Sequence, residues 1–193
     1  MVSPEGDFDG EAFTGDLSGQ DAGNARFLEC EFRGCDLTGF RAPRARFAEC
    51  ALYAVHGAAV DLAETAWMDS TVSQVRLGAV QLYGSELRRV SFEGGKIEFL
   101  NLRGSNLREV RFVDCQLVEA DFGGADLRQV SFEGCRLVSP EFSQATCRDV
   151  DLSGADLVAP RGLASLSGAT LSRLQLLDLA PALADQLGIR VAD

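Results

Sequence analysis

Histidine is nearly absent from this sequence: His56 is the only one in 193 residues. A multi-histidine metal site is thereby excluded, and a Ser–His–Asp triad has a single candidate base. No apolar run is long enough to span a bilayer. The start, MVSPEGDFDGEAF, lacks the basic-then-apolar layout of a signal peptide, so a cytoplasmic setting is expected. No Walker loop or dinucleotide fingerprint occurs, and the six cysteines form no CxxC pair. Neither a nucleotide nor any other cofactor is expected. Basic residues are missing from residues 1–25, which hold six acids (Glu5, Asp7, Asp9, Glu11, Asp16 and Asp21). Over half of the net charge of −11 therefore lies in that leading segment, while residues 26–149 carry −3 and residues 150–193 carry −2. An acidic chain is a poor direct ligand for phosphates, which excludes nucleic acid as an expected partner.

What the sequence has instead is a period of five. In SNLREVRFVDCQLVEADFGGADLRQVSFEGC, Leu107, Phe112, Leu117, Phe122, Leu127 and Phe132 recur at that interval. Neither a helix nor a strand makes one face from this spacing. From Phe27 to Leu157 there are 27 such positions, and 23 hold Leu, Ile, Phe or Trp, so chance is not the cause. The departures are Ala42, Gly57, Val72 and Cys147, and the phase never slips, so no loop interrupts the run. The positions two places earlier are mostly small, among them Cys30, Cys35, Cys50, Ala120 and Ala125. An Asp or Asn often lies between, as in GADL at 124–127 and 154–157.

This pattern resembles the pentapeptide-repeat family, whose unit is A(D/N)LXX, over about residues 15–160. The resemblance implies an all-β solenoid: a right-handed quadrilateral parallel β-helix with four units per coil. The central and small residues then point to the axis, and residues 20 apart lie above one another. One inner ladder becomes Phe32, Leu52, Val72, Phe92, Phe112, Phe132, Leu152. Another becomes Leu37, Gly57, Leu77, Ile97, Leu117, Leu137, Leu157. Burial contributes on the order of 1.5–3 kcal/mol per large side chain, and nearest-neighbour stacking carries the stability. Coils at strand spacing make a rod of about 34 Å. Gly34, Gly94, Gly134 and Gly154 share one side and Gly84, Gly104 and Gly124 the opposite one, which suggests corners with positive φ.

The expected organisation is an acidic cap or tail over 1–16, the β-helix over 17–160, and a helical cap over 161–193. Phe8 and Phe13 are five apart but one residue out of phase with Leu17. In the last segment Thr170 is the expected N-cap and Gly188 the stop. Pro181 suggests two short helices, about 171–179 and 181–187.

Few residues suggest chemistry. Five cysteines fill the small inward slot and Cys147 a central one, where thiols act as apolar filler. His56 falls in an outward slot between Asp36 and Arg76 of its ladder, most simply a surface imidazole near a carboxylate. Acid pairs such as Glu119 with Asp121, or Asp149 with Asp151, sit on outer corners without the cleft that acid–base catalysis needs. No catalytic, cofactor or metal residue is therefore assigned, and an enzyme would need a pocket beside His56 or the thinning at Ala42 and Gly57. Arg88, Arg108, Arg128 and Arg148 form an outer ladder flanked by Glu86, Glu109, Asp126 and Asp149. It is either a self-neutralising face or a docking face for an acidic partner. Phe99, Val118, Val138 and Val158 make an outward apolar patch.

The best understood proteins of the family that this chain resembles are fluoroquinolone-resistance proteins and toxin-immunity relatives. They act on DNA gyrase as dimeric rods with the width and charge of duplex DNA. The resemblance implies a non-enzymatic DNA mimic that binds this type II topoisomerase through acids such as Asp61, Glu64, Glu119, Asp121 and Glu141. It also implies a homodimer through the C-terminal segment, with Leu174, Leu177, Leu183, Leu187 and Ile189 as capping and dimer contacts. The alternative is a general protein–protein scaffold that uses the arginine ladder or the apolar patch.

Overall fold

The computed structural model describes residues 1–186 and 188–190. A parallel four-sided β-solenoid of about eight rungs fills most of the chain, followed by one helix, Arg173–Gln186. The register is 20 residues from rung to rung, so each expected ladder is a physical stack. Val72 pairs with Leu52 and Phe92, and Phe112 pairs with Phe92 and Phe132. Leu77 lies between Gly57 and Ile97. Ring centroids of Phe92, Phe112 and Phe132 are 4.8 Å apart and nearly coplanar in orientation, which matches the spacing of paired strands. A second stack runs Phe8, Phe27, Phe47, Trp67. Such pairs add about 0.5–1.5 kcal/mol each beyond area burial.

The composition of each slot follows from where its atoms point. The small slot needs a group that fits beneath the preceding rung, and Cys and Ser there reach its carbonyls, while Thr65 Oγ1 donates to Leu62 O of its own rung (2.7 Å). Cys35 Sγ donates to Phe13 O (3.2 Å), Cys115 Sγ to Phe92 O (3.4 Å) and Ser105 Oγ to Leu82 O (2.7 Å). Thr65 Oγ1 accepts from Trp67 Nε1 at 2.9 Å, so the buried indole is satisfied. The Asp or Asn slot accepts the backbone N–H two residues on, as in Asp36 from Thr38 (2.9 Å) and Asp121 from Gly123 (2.8 Å). No buried side-chain nitrogen or oxygen among the described residues lacks a partner.

Corners fall two residues after each central side chain, and nearly all take positive φ with or without glycine. Gly34, Gly84, Gly94, Gly104, Gly124 and Gly134 do so as expected, but Gly154 does not. The same conformation is held by Glu49, Asp69, Arg89, Glu109, Gln129 and others without glycine's freedom. Ala79 and Phe99 depart from it, and there the strands Thr71–Gln81 and Ser91–Asn101 run on past the corner position.

Both ends of the solenoid differ from the sequence expectation. Residues 7–16 form the strands Asp7–Asp9 and Ala12–Asp16, which pair with the next rung. Phe8 stands over Phe27 and Phe13 over Phe32, a step of 19, and the phase is recovered by an irregularity between Thr14 and Asp16. Stacking four phenylalanines outweighs one irregular turn at Gly15, which has φ +84°. At the other end the rung continues beyond 160. A 3₁₀ turn, Leu163–Leu166, and the strand Ala169–Thr170 complete it, again at a step of 19 from Val150 to Ala169.

The helix begins at Arg173 and is continuous through Pro181 rather than broken there. Ser172, not Thr170, caps it: its Oγ accepts from Gln175 N (3.2 Å) while Gln175 Oε1 accepts from Ser172 N (2.7 Å). Buried Gln175 and Leu179 with half-buried Leu183 make a stripe at intervals of four toward the solenoid, which holds one helix across the hydrogen bond that Pro181 cannot make. Gln175 Nε2 also donates to Leu152 O (2.7 Å) and Ala155 O (2.6 Å), covering carbonyls of the last rungs. Gly188 stops the helix at φ +69°, with its N–H on Asp185 O and that of Ile189 on Ala184 O.

Candidate interaction surfaces

With the interior packed by its own side chains, chemistry is left to the outer slots. The six cysteines are buried and free. Burial pushes the Cys50 thiol up to about 11, and Cys115, against Cys135 and buried, is also held well above the usual thiol range. Such thiols stay protonated and inert.

The five acids of the expected stripe do not make one acidic ribbon. Asp121 and Glu141 are neighbours on one ladder, which continues to Arg161. Asp61 lies on the same ladder with Gln81 and Asn101 in between. Three of these acids are neutralised: Asp61 by Arg41 (3.7 Å), Asp121 by Arg103 (3.1 Å) and Glu141 by Arg161 (3.2 Å). Glu64 and Glu119 occupy left-handed corners with φ +58° and +50°, and neither makes an ion pair among the described residues.

Arg88, Arg108, Arg128 and Arg148 are in register on four consecutive rungs and exposed. Arg128 is held by Asp126 (2.6 Å) and Arg108 approaches Glu109 (3.6 Å). Val118, Val138 and Val158 stack in register and are half-buried, whereas Phe99 pairs with Ala79 on a different line.

Of the expected C-terminal contacts, Leu174 is 74% exposed, Leu177 64% and Ile189 56%. Leu183 is half-buried on the stripe facing the solenoid, and Leu187 lies outside the described residues. Leu176 is also 51% exposed and has no distinguishing position in the sequence.

His56 stands in register between Asp36 and Arg76, with Nδ1 3.8 Å from Asp36 Oδ1. Beside it lies a solvent-open groove of about 1080 Å³ that also includes Tyr53, Arg76 and Lys96. In the interior a void of about 30 Å³ remains between side chains that include Leu37, Leu77 and Trp67. No group of three or more potential metal ligands occurs among the described residues, and none of their helices is long and apolar enough to cross a membrane.

A family model for a pentapeptide repeat region matches residues 25–102. A second, for eight copies of the repeat, matches 85–124, 98–134 and 120–157. The chain belongs to the pentapeptide-repeat family. Among solved pentapeptide-repeat structures it is similar to a trypsin-treated variant of QnrB1, a plasmid-mediated fluoroquinolone resistance protein. The two share 19% identity over 98% of this chain and 93% of that one, with a TM-score of 0.51. HetL, from the cyanobacterium Nostoc sp. strain PCC 7120 and involved in heterocyst differentiation regulation, shares 19% identity. That match covers 87% of this chain and 90% of HetL, with a TM-score of 0.43. No curated protein matches in sequence. At these identities, what this pentapeptide-repeat protein shares with QnrB1 is the fold.

Proposed function

We propose that this pentapeptide-repeat protein is a non-enzymatic, cytoplasmic binding rod. In its leading specific form it engages a type II topoisomerase, DNA gyrase, as a mimic of duplex DNA and so protects that enzyme from quinolones or gyrase toxins. One observation carries the reading: the interior of an eight-rung rod is filled by its own side chains, so recognition falls to a long outer skin. The net charge of −11 and a length of about 34 Å support the DNA-like version. Pairing of two rods through the exposed Leu174, Leu177 and Ile189 would double that length.

The test is purified protein in a gyrase supercoiling assay with and without a fluoroquinolone. Inhibition or drug protection is expected at micromolar protein, and no effect at that concentration removes the topoisomerase reading. The double variant Leu174→Glu with Leu177→Glu should sediment as a monomer and lose potency. An unchanged sedimentation coefficient would remove the C-terminal dimer. A second reading, a scaffold for another protein, is favoured by the arginine partners of Asp61, Asp121 and Glu141, which cancel charge where a DNA mimic would display it.

A further inference from the structure

The groove beside His56 is lined by Gly78 and Gly95, and Gly57 follows His56 directly in the chain. Gly57 holds a central slot, where an added Cβ would lie 2.6 Å from Thr38 N. Gly95 holds a small slot, where a Cβ would run into the Val75 carbonyl. Gly78 holds an outward slot, with a Cβ there 3.4 Å from that of Ala58. Steps of 20 residues bring these slots to adjacent rungs of one side, where neighbouring backbone comes too close for a Cβ at Gly57 or Gly95.

The charges of the groove have an order. His56, Arg76 and Lys96 stand in register on successive rungs. Lys96 Nζ is held by Glu98 Oε1 at 2.8 Å, and His56 faces Asp36. Arg76, exposed and central, has no carboxylate within ion-pair distance among the described residues. Stacking it next to Lys96 is electrostatically unfavourable unless an anion joins them. Asp114 lines the far end of the groove and Tyr53, 55% exposed, lines the near end. Arg76 and Lys96 are balanced by Glu98 and Asp114, so the lining as a whole attracts no dianion. A ligand with one carboxylate and one basic group is matched. A phosphate dianion or a nucleic acid strand is repelled at its second charge.

We propose that this groove binds an extended peptide segment that seats an acidic side chain on Arg76 and turns a basic side chain toward Asp114. The two anchors are two rungs apart along the rod, about 10 Å, and offset by two residues across it, since Arg76 stacks on Lys96 and Gln116; three residues of extended chain with the reach of their side chains span this. The expected motif is therefore an acid followed three residues later by a lysine or arginine, with an apolar neighbour against Tyr53. This deepens the reading of the protein as a binding rod, naming the chemistry of one docking point, and it holds whether or not the partner is a topoisomerase.

The test uses the ¹⁵N-labelled full chain titrated with acetyl-Asp-Ala-Ala-Lys-amide, with acetyl-Asn-Ala-Ala-Lys-amide and with sodium phosphate. The acidic peptide should give saturable amide shifts confined to Tyr53–Gly57, Gln74–Gly78, Gly95–Glu98 and Asp114–Gln116. Arg76→Gln, an exposed change that leaves the melting temperature unaltered, should weaken binding by roughly tenfold or more. Arg76→Glu should reverse the preference in favour of acetyl-Lys-Ala-Ala-Lys-amide. The proposal is overturned by no saturable shift up to about 10 mM peptide, by equal binding to Arg76→Gln, by equal binding of the asparagine peptide, or by phosphate competing as well as the peptide. Because no topoisomerase is present, these results are independent of the supercoiling assay.

Discussion

Single residues in this protein are specified by slot more than by neighbourhood, and the corners show what that costs. Gln129 is exposed and held at φ +54°; an L-residue in the left-handed region is strained by about 1 kcal/mol. Gln129→Gly should therefore stabilise the fold by a few tenths to about 1 kcal/mol, since relief of strain exceeds glycine's added chain entropy. Gln129→Val should destabilise it by more than that, because β-branching sharpens the clash. Urea midpoints of the two variants check both signs, and a glycine variant less stable than wild type would show the corner to be unstrained. These corners were legible in the sequence only where glycine occupies them. Glu49, Asp69 and Gln129 give no local sign of positive φ, because the turn is imposed by closing the square and the side chain merely tolerates it. The inward positions were legible for the opposite reason: a side chain aimed at the axis can be only large and apolar, or small.

At the scale of elements, the ends are where the period ceases to predict. One helix closes the lower edge, and Gln175 is its central contact through two carbonyls, Leu152 O and Ala155 O. Gln175→Ala strips Ala155 O of its side-chain donor, leaves Leu152 O with only the Ala155 N–H, and removes half of the capping box, so a loss of about 1–3 kcal/mol is expected. Hydrogen exchange should localise the change to residues 150–175, leaving the first rungs untouched, since each rung senses its neighbours alone. A uniform rise in exchange along the rod would contradict that. A glutamine amid leucines, in a segment already interrupted by Pro181, did not announce this role. The single helix was hidden because the proline rule weighs one hydrogen bond, whereas docking of Gln175, Leu179 and Leu183 decides the outcome. The groove was equally hidden: Tyr53, Arg76, Lys96 and Asp114 lie on four successive laps and meet only once the chain is wound.

For the molecule as a whole, acid stability follows from carboxylates that work as acceptors. Hydrogen bonds from Ser18, Thr38, Ser143 and Ser153 hold Asp16, Asp36, Glu141 and Asp151 below the usual carboxylate range. Arg89 does the same to Asp69, and Arg128 to Asp126. With folded values below unfolded ones, this contribution is complete above the ordinary carboxylate range and is lost as pH falls through the folded values. The urea midpoint should stay level from pH 7 to about 5 and decline below about 4; a midpoint that rises on acidification would refute the assignment. Steps of 20 residues fill the interior of the rod, and a step of 19 marks each end. Length is therefore quantised: whole laps can be spliced in or out of the middle with every spoke still meeting its hub, whereas a lone missing codon there would leave all later spokes facing the wrong way. The two short laps mark where that counting begins and where it stops.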